Sequence, residues 1–117
     1  MTVTFTKAAE LDAIFAPSGA DMTSIFDGYD STNWISKGNT KDIEANTRTY
    51  EFWYKDAVAA LNGDVALDAL FDRIVVPTSI TNTQLATIEG MTITVNAYAI
   101  QANGFANAEA AWAAYSK

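Results

Sequence analysis

The chain has 117 residues, half of them hydrophobic and 18% charged, with a formal net charge of −7. That length supports one domain with one core rather than two, and the composition is that of a folding chain rather than a disordered one. The negative balance repels phosphate backbones and anionic lipid headgroups, which argues against nucleic-acid and membrane-surface partners. Cysteine and histidine are both absent. Disulfides, thiolate metal sites, Ser-His-Asp triads and the paired histidines of zinc proteases are therefore excluded.

Residues 2–7 alternate threonine with Val3 and Phe5, which predicts a strand with those two side chains on one face. Residues 8–15 predict a short helix or turn, and Pro17-Ser18-Gly19 breaks the chain. Residues 20–47 are rich in Asp, Gly, Ser, Thr and Asn. Within them residues 32–36 predict a short strand, and Lys37-Gly38-Asn39-Thr40 reads as a turn.

Residues 49–56 form the clearest strand pattern, with Tyr50, Phe52 and Tyr54 on one face and Glu51, Trp53 and Lys55 on the other. Residues 57–61 either continue it or turn into a helix, and Asn62-Gly63-Asp64 is a turn signal. Residues 65–76 predict a bulged strand that ends at Pro77. Thr81 and Gln84 have capping-box spacing, and Gly90 suits the far end of that helix. Residues 91–102 alternate as a long strand, with Met91, Ile93, Val95, Ala97 and Ala99 on one face. Asn107 then caps a last helix striped by Ala108, Ala111, Trp112 and Tyr115. Irregularly spaced strands without strand-helix alternation predict a mainly β chain: one antiparallel sandwich over residues 1–117, with two or three short helices.

Three groups of residues are candidate sites. Asp21, Asp27 and Asp30, with Asp42 and Glu44 nearby, offer hard oxygen ligands in a polar loop and form a candidate calcium set, although the spacing is not that of an EF-hand. Turn-forming surface acids give the same pattern. Trp34 and Trp53, among the mid-chain aromatics, suit either a core or a carbohydrate platform, and Trp53 shares its face with charged residues, which marks it for an interface. A facing pair among the fourteen acids would suit glycoside hydrolysis, but nothing in the spacing singles one out. No cofactor beyond the candidate calcium is implied.

Several segments together resemble the TasA/camelysin family of Gram-positive surface and biofilm-matrix proteins. They are residues 70–77 (LFDRIVVP) with the threonine-capped helix after them, residues 91–105 (MTITVNAYAIQANGF), residues 108–112 (AEAAW) and the aromatic strand at residues 50–54. The resemblance covers residues 45–115 best, and its motifs are structural rather than catalytic. It implies a jelly-roll-like sandwich, secreted to the cell surface or extracellular matrix and assembling into fibres by donor-strand exchange. Camelysin-type proteins are sometimes classed as metallopeptidases, and the absence of histidine removes that chemistry here. No signal peptide is visible at residues 1–6, and no segment approaches the ~20 apolar residues of a membrane helix. The family's first strands are expected to be missing, which leaves an open sheet edge. Self-association is then expected, with Val3 and Phe5 near the exchanging edge. The expectation is a non-enzymatic fibre subunit or accessory; the alternative is an extracellular carbohydrate- or ion-binding sandwich module.

Overall fold

A computed structural model describes residues 1–15, 25–58 and 66–115. The element order is β1 (Thr2–Thr6), α1 (Ala8–Phe15), β2 (Phe26–Asp27), β3 (Trp34–Asp42), β4 (Thr47–Tyr54), β5 (Arg73–Ile74), α2 (Asn82–Thr87), β6 (Ile93–Asn96) and α3 (Ala108–Ala114). The chain is mainly β. One antiparallel sheet has strand order β3-β4-β1-β6, and β2 and β5 form a two-stranded antiparallel ribbon. No helix among the described residues is long and apolar enough to cross a membrane.

The register sorts the side chains of the sheet into two faces. Val3 lies opposite both Tyr50 and Val95, and Phe5 opposite both Arg48 and Ile93, so all six point to one side. Over that side pack α1, through Leu11 and Phe15, the ribbon, through Phe26, and the end of α2, through Ile88. Phe26 is the hub of this core. Its ring lies 5.1 Å from Tyr50, 5.5 Å from Phe52, 5.9 Å from Phe5 and 4.9 Å from Phe71. The contacts with Tyr50 and Phe52 are edge-on, the arrangement that ring quadrupoles favour.

Local chemistry explains the helix positions. Asn46, in the turn between β3 and β4, caps α1 from outside: its backbone oxygen accepts from Ala8 N–H at 3.0 Å, and its Oδ1 accepts from Ala9 N–H at 2.9 Å. The predicted capping box is present at α2, where Thr81 Oγ1 accepts from Gln84 N–H and Gln84 Oε1 accepts from Thr81 N–H. Asn107 caps α3 by accepting from Ala110 N–H at 2.9 Å.

Three sequence expectations need correction. Lys37-Gly38-Asn39-Thr40 is not a turn: β3 runs through it, with a bulge between Ser36 and Asn39 that takes Gly38 to φ +94°. Over residues 66–76 the predicted strand is reduced to Arg73–Ile74, because its strand partner among the described residues is the two-residue β2. The long strand predicted over residues 91–102 spans only Ile93–Asn96, because Asn96 pairs with Thr2, the first residue of β1, and beyond it no ladder partner exists among the described residues. The turn signals at Pro17-Ser18-Gly19 and Asn62-Gly63-Asp64 lie outside the described residues.

Candidate functional site

The two edges of the four-stranded sheet are built differently. Edge strand β3 carries Lys37, Lys41 and Asp42 and is bent by its bulge. Edge strand β6 carries no charge, no proline and no bulge. All four of its residues are exposed. Between Arg73 and Glu109 the sequence holds a single charged residue, Glu89. Charges, prolines and bulges are the devices by which sheets block edge-to-edge pairing. Charges and a bulge are present on β3, and all three devices are missing from β6.

The backbone of β6 points one set of bonds inward and one outward. Thr6 N–H donates to Thr92 O at 3.0 Å, which makes Thr6 and Thr92 a hydrogen-bonded pair. Alternation along the ladder then directs the N–H and C=O groups of Ile93 and Val95 away from β1. Their side chains stand on the core face beside Phe5 and Val3, yet the covering layer stops at β1. Val3 and Phe5 are fully buried, whereas Ile93 is 40% and Val95 51% exposed.

Val3 and Phe5, expected near an exchanging edge, lie on β1, an interior strand paired on both sides and one strand in from the edge strand β6. Their alternation marks a strand equally well in either place. What decides is β6, which comes back some 90 residues later to cover the flank of β1.

The opposite face of the sheet is rich in threonine. Thr40, Thr49, Thr4 and Thr94 stand in register across all four strands, and the Thr4 and Thr49 hydroxyls bond at 2.9 Å. At one end of this face α3 is clamped down. Trp112 lies 6.2 Å from Trp53 and 5.4 Å from Tyr115, which in turn lies 5.9 Å from Tyr98. Lys37 Nζ sits 4.3 Å above the Trp53 ring and pairs with Glu109 at 3.0 Å. The Trp53 indole N–H donates to Glu51 Oε1 at 2.8 Å. Trp53 thus packs within the molecule, between the sheet and α3. The crevice among Met1, Thr2, Glu51, Trp53, Tyr98 and Trp112 holds about 10 Å³, the space of one water rather than of a sugar ring. Trp34 is buried, with its indole N–H donating to Asp68 O at 2.9 Å.

The acids named as calcium candidates have separate duties. Asp27 takes a 2.6 Å bond from Arg73 Nε. Asp30 turns its carboxylate onto its own loop, accepting from Thr32 N–H, Asn33 N–H and Asn33 Nδ2. The Asn33 side chain and these backbone donors hold the Asp30 pKa below its usual value. Asp21 lies outside the described residues. Among the described residues no three acids converge as a metal cluster would require.

A partly buried charge network, which sequence reasoning missed, pins α1 to the sheet. Asp12 Oδ2 accepts from Arg48 Nη2 at 2.7 Å and from Lys41 Nζ at 2.8 Å, and Arg48 Nη1 also donates to Asn39 Oδ1. Arg48 occupies a core-face position on β4 and is almost fully buried. Burial pushes the Asp12 pKa upward, but the hydrogen bonds from Lys41 and Arg48 outweigh it, and the net displacement is downward. Glu10 is likewise held low, chiefly by Asn46 Nδ2. Glu10, Asp12 and Asp30 thus move away from the raised pKa that a general acid needs. A shallow hollow of about 500 Å³ beside α2 is lined by Asn82, Leu85, Ala86, Ile88 and Glu89, and it brings no second titratable group to bear on Glu89.

Comparison with protein-family models, curated proteins and solved structures yields no match. The functional reading therefore rests on the geometry of this chain and on the motif resemblance in its sequence.

Proposed function

We propose that the protein is a non-enzymatic structural subunit of a secreted cell-surface or biofilm-matrix fibre, with a jelly-roll-like sandwich completed by strands from its neighbours. The observation that carries this reading is the unprotected edge at β6, where outward-facing backbone groups meet an uncharged, exposed strand. The molecule has a net charge of −7, so most contacts between copies are repulsive. A strip free of charge is where that repulsion is least and where backbone pairing has most to gain. Apolar side chains there add to the gain, since each one fully buried is worth about 1.5–3 kcal/mol. The resemblance to TasA/camelysin-like segments supports the same reading.

The test is light scattering over a concentration series with negative-stain electron microscopy of the same samples. Concentration-dependent filaments or ordered oligomers are the expected outcome. A strict monomer at every concentration sinks the proposal.

A further inference from the structure

We infer that copies of this chain exchange their C-terminal arm, residues 91–115, so that β6 and α3 of one copy dock on β1 and Trp53 of the next. The inference rests on the self-assembly reading above and names the segment that moves.

The arm meets the body through the β6–β1 ladder, the Thr6–Thr92 hydrogen bonds, Met91 against the core and the contacts of α3, and each of these is transferable. β6 touches the sheet through β1 alone, in four residue pairs from Thr2↔Asn96 to Phe5↔Ile93. α3 is held by the Trp53–Trp112 contact and the Lys37–Glu109 pair. Between them, residues 97–107 form no helix or strand, and most are exposed. Each of these contacts forms equally well between two copies, so exchange costs association entropy and little else. From Gly90 to Ala108 no side chain is charged, and the transfer onto a second acidic body meets little repulsion.

The hinge is also visible. α2 ends at Thr87 and β6 begins at Ile93, so a short connector reverses the chain. Gly90 occupies φ +76° within it, in the left-handed region, with open space around its Cα. Met91 N–H is bonded to Ile88 O, and residues before the hinge stay with the body, where Lys7 Nζ holds Thr87 O and Glu89 O. Short reversing connectors of this kind favour exchange once they straighten. An arm that leaves one copy for the next, while its own site receives another, gives an open, head-to-tail chain of subunits.

The chain has no cysteine, so the double variant Thr4→Cys/Thr94→Cys carries a single cross-linkable pair. Those residues face each other across β1 and β6 as a hydrogen-bonded pair, with Cα atoms about 5.5 Å apart, within disulfide range. The protein is allowed to assemble reduced, then oxidised and run on a non-reducing gel, with Thr94→Cys alone as the background for random links. Exchange predicts interchain links above that background, forming a ladder. It also predicts that dilute protein oxidised first is locked within each chain and no longer assembles. Assembly with links wholly within chains overturns exchange and leaves self-association standing. No assembly under any condition overturns both. The variant Gly90→Val strains the closed connector alone and is expected to raise the interchain fraction by about 5–30-fold; an unchanged fraction removes Gly90 as the hinge.

Discussion

The two edges of one sheet show what the sequence treats as finished and what it leaves open. β3 is long, bulged and charged, and its Lys41 is drawn into the Asp12–Arg48 network under α1. β6 is short, straight and neutral, and the layer that buries Val3 and Phe5 does not reach it. Positions that share a face and a register, such as Phe5 and Ile93, therefore differ completely in burial. On the proposed reading, the β3-β4-β1 side of the molecule serves stability and the β6 side serves association.

The largest effect that would break this assignment lies in that cross-strand pair. Phe5→Ala removes a fully buried ring that contacts Phe26 and Tyr50, and is expected to cost about 3–5 kcal/mol in urea or thermal unfolding. Ile93→Ala, on the same face, is expected to stay below about 1 kcal/mol because its side chain is already much exposed. Equal costs would mean that β6 is covered as fully as β1.

Next in size is the anchor of α1. Asp12→Ala leaves Arg48 buried without its carboxylate and is expected to cost on the order of 2–3 kcal/mol. The same group gives a pH signature. Its folded pKa is held below the unfolded value, so its contribution is present above the unfolded pKa and fades as pH falls through the folded one. Unfolding of the native chain should therefore lose stability toward acid, and Asp12→Ala should lose part of that slope. An unaltered slope in the variant would remove Asp12 from the network's energetics.

Trp112→Ala comes third. It removes the ring that rests on Trp53 and Tyr115, for about 1–2 kcal/mol of local stability. Release of α3 should appear as faster amide exchange in residues 108–114 before any global change. Global unfolding at the same rate would show that α3 belongs to the core rather than to the arm.

Much of this fold is legible in the sequence because the relevant physics is local. The Thr81–Gln84 box, the Asn107 cap and the alternation of Tyr50, Phe52 and Tyr54 are each set by neighbours within a few residues. What the sequence hides is non-local. The alternation at Val3 and Phe5 does not say whether one strand or two will flank it, and the answer comes from residues 93–96. Lys37-Gly38 has the chemistry of a turn, yet pairing with β4 on both sides of it makes it a bulge. Asp12 and Arg48 lie 36 positions apart and carry no spacing signal, although they meet at 2.7 Å. For the candidate site, the uncharged run from Ile74 to Ala108, broken only by Glu89, was present in the sequence as the one available signal, but only the sheet order shows that it supplies an edge.

The smallest effect on stability is expected to be the most telling for assembly. Val95→Lys places a charge on the core face of β6, at a half-exposed position beside Val3 from which the long side chain can carry its ammonium to solvent. Unfolding should shift by no more than about 0.5 kcal/mol. The added charge supplies the protection that β3 has and β6 lacks. A partner strand arriving at that edge would have to desolvate the ammonium or splay away from it. The concentration needed for assembly should rise by about tenfold for each 1.4 kcal/mol of that penalty. The matching change on the other edge, Lys41→Arg, keeps the charge on β3 and should leave assembly where it was. If Val95→Lys assembles as readily as the native chain, β6 is not the surface through which copies meet, and the contrast between the two edges concerns folding alone.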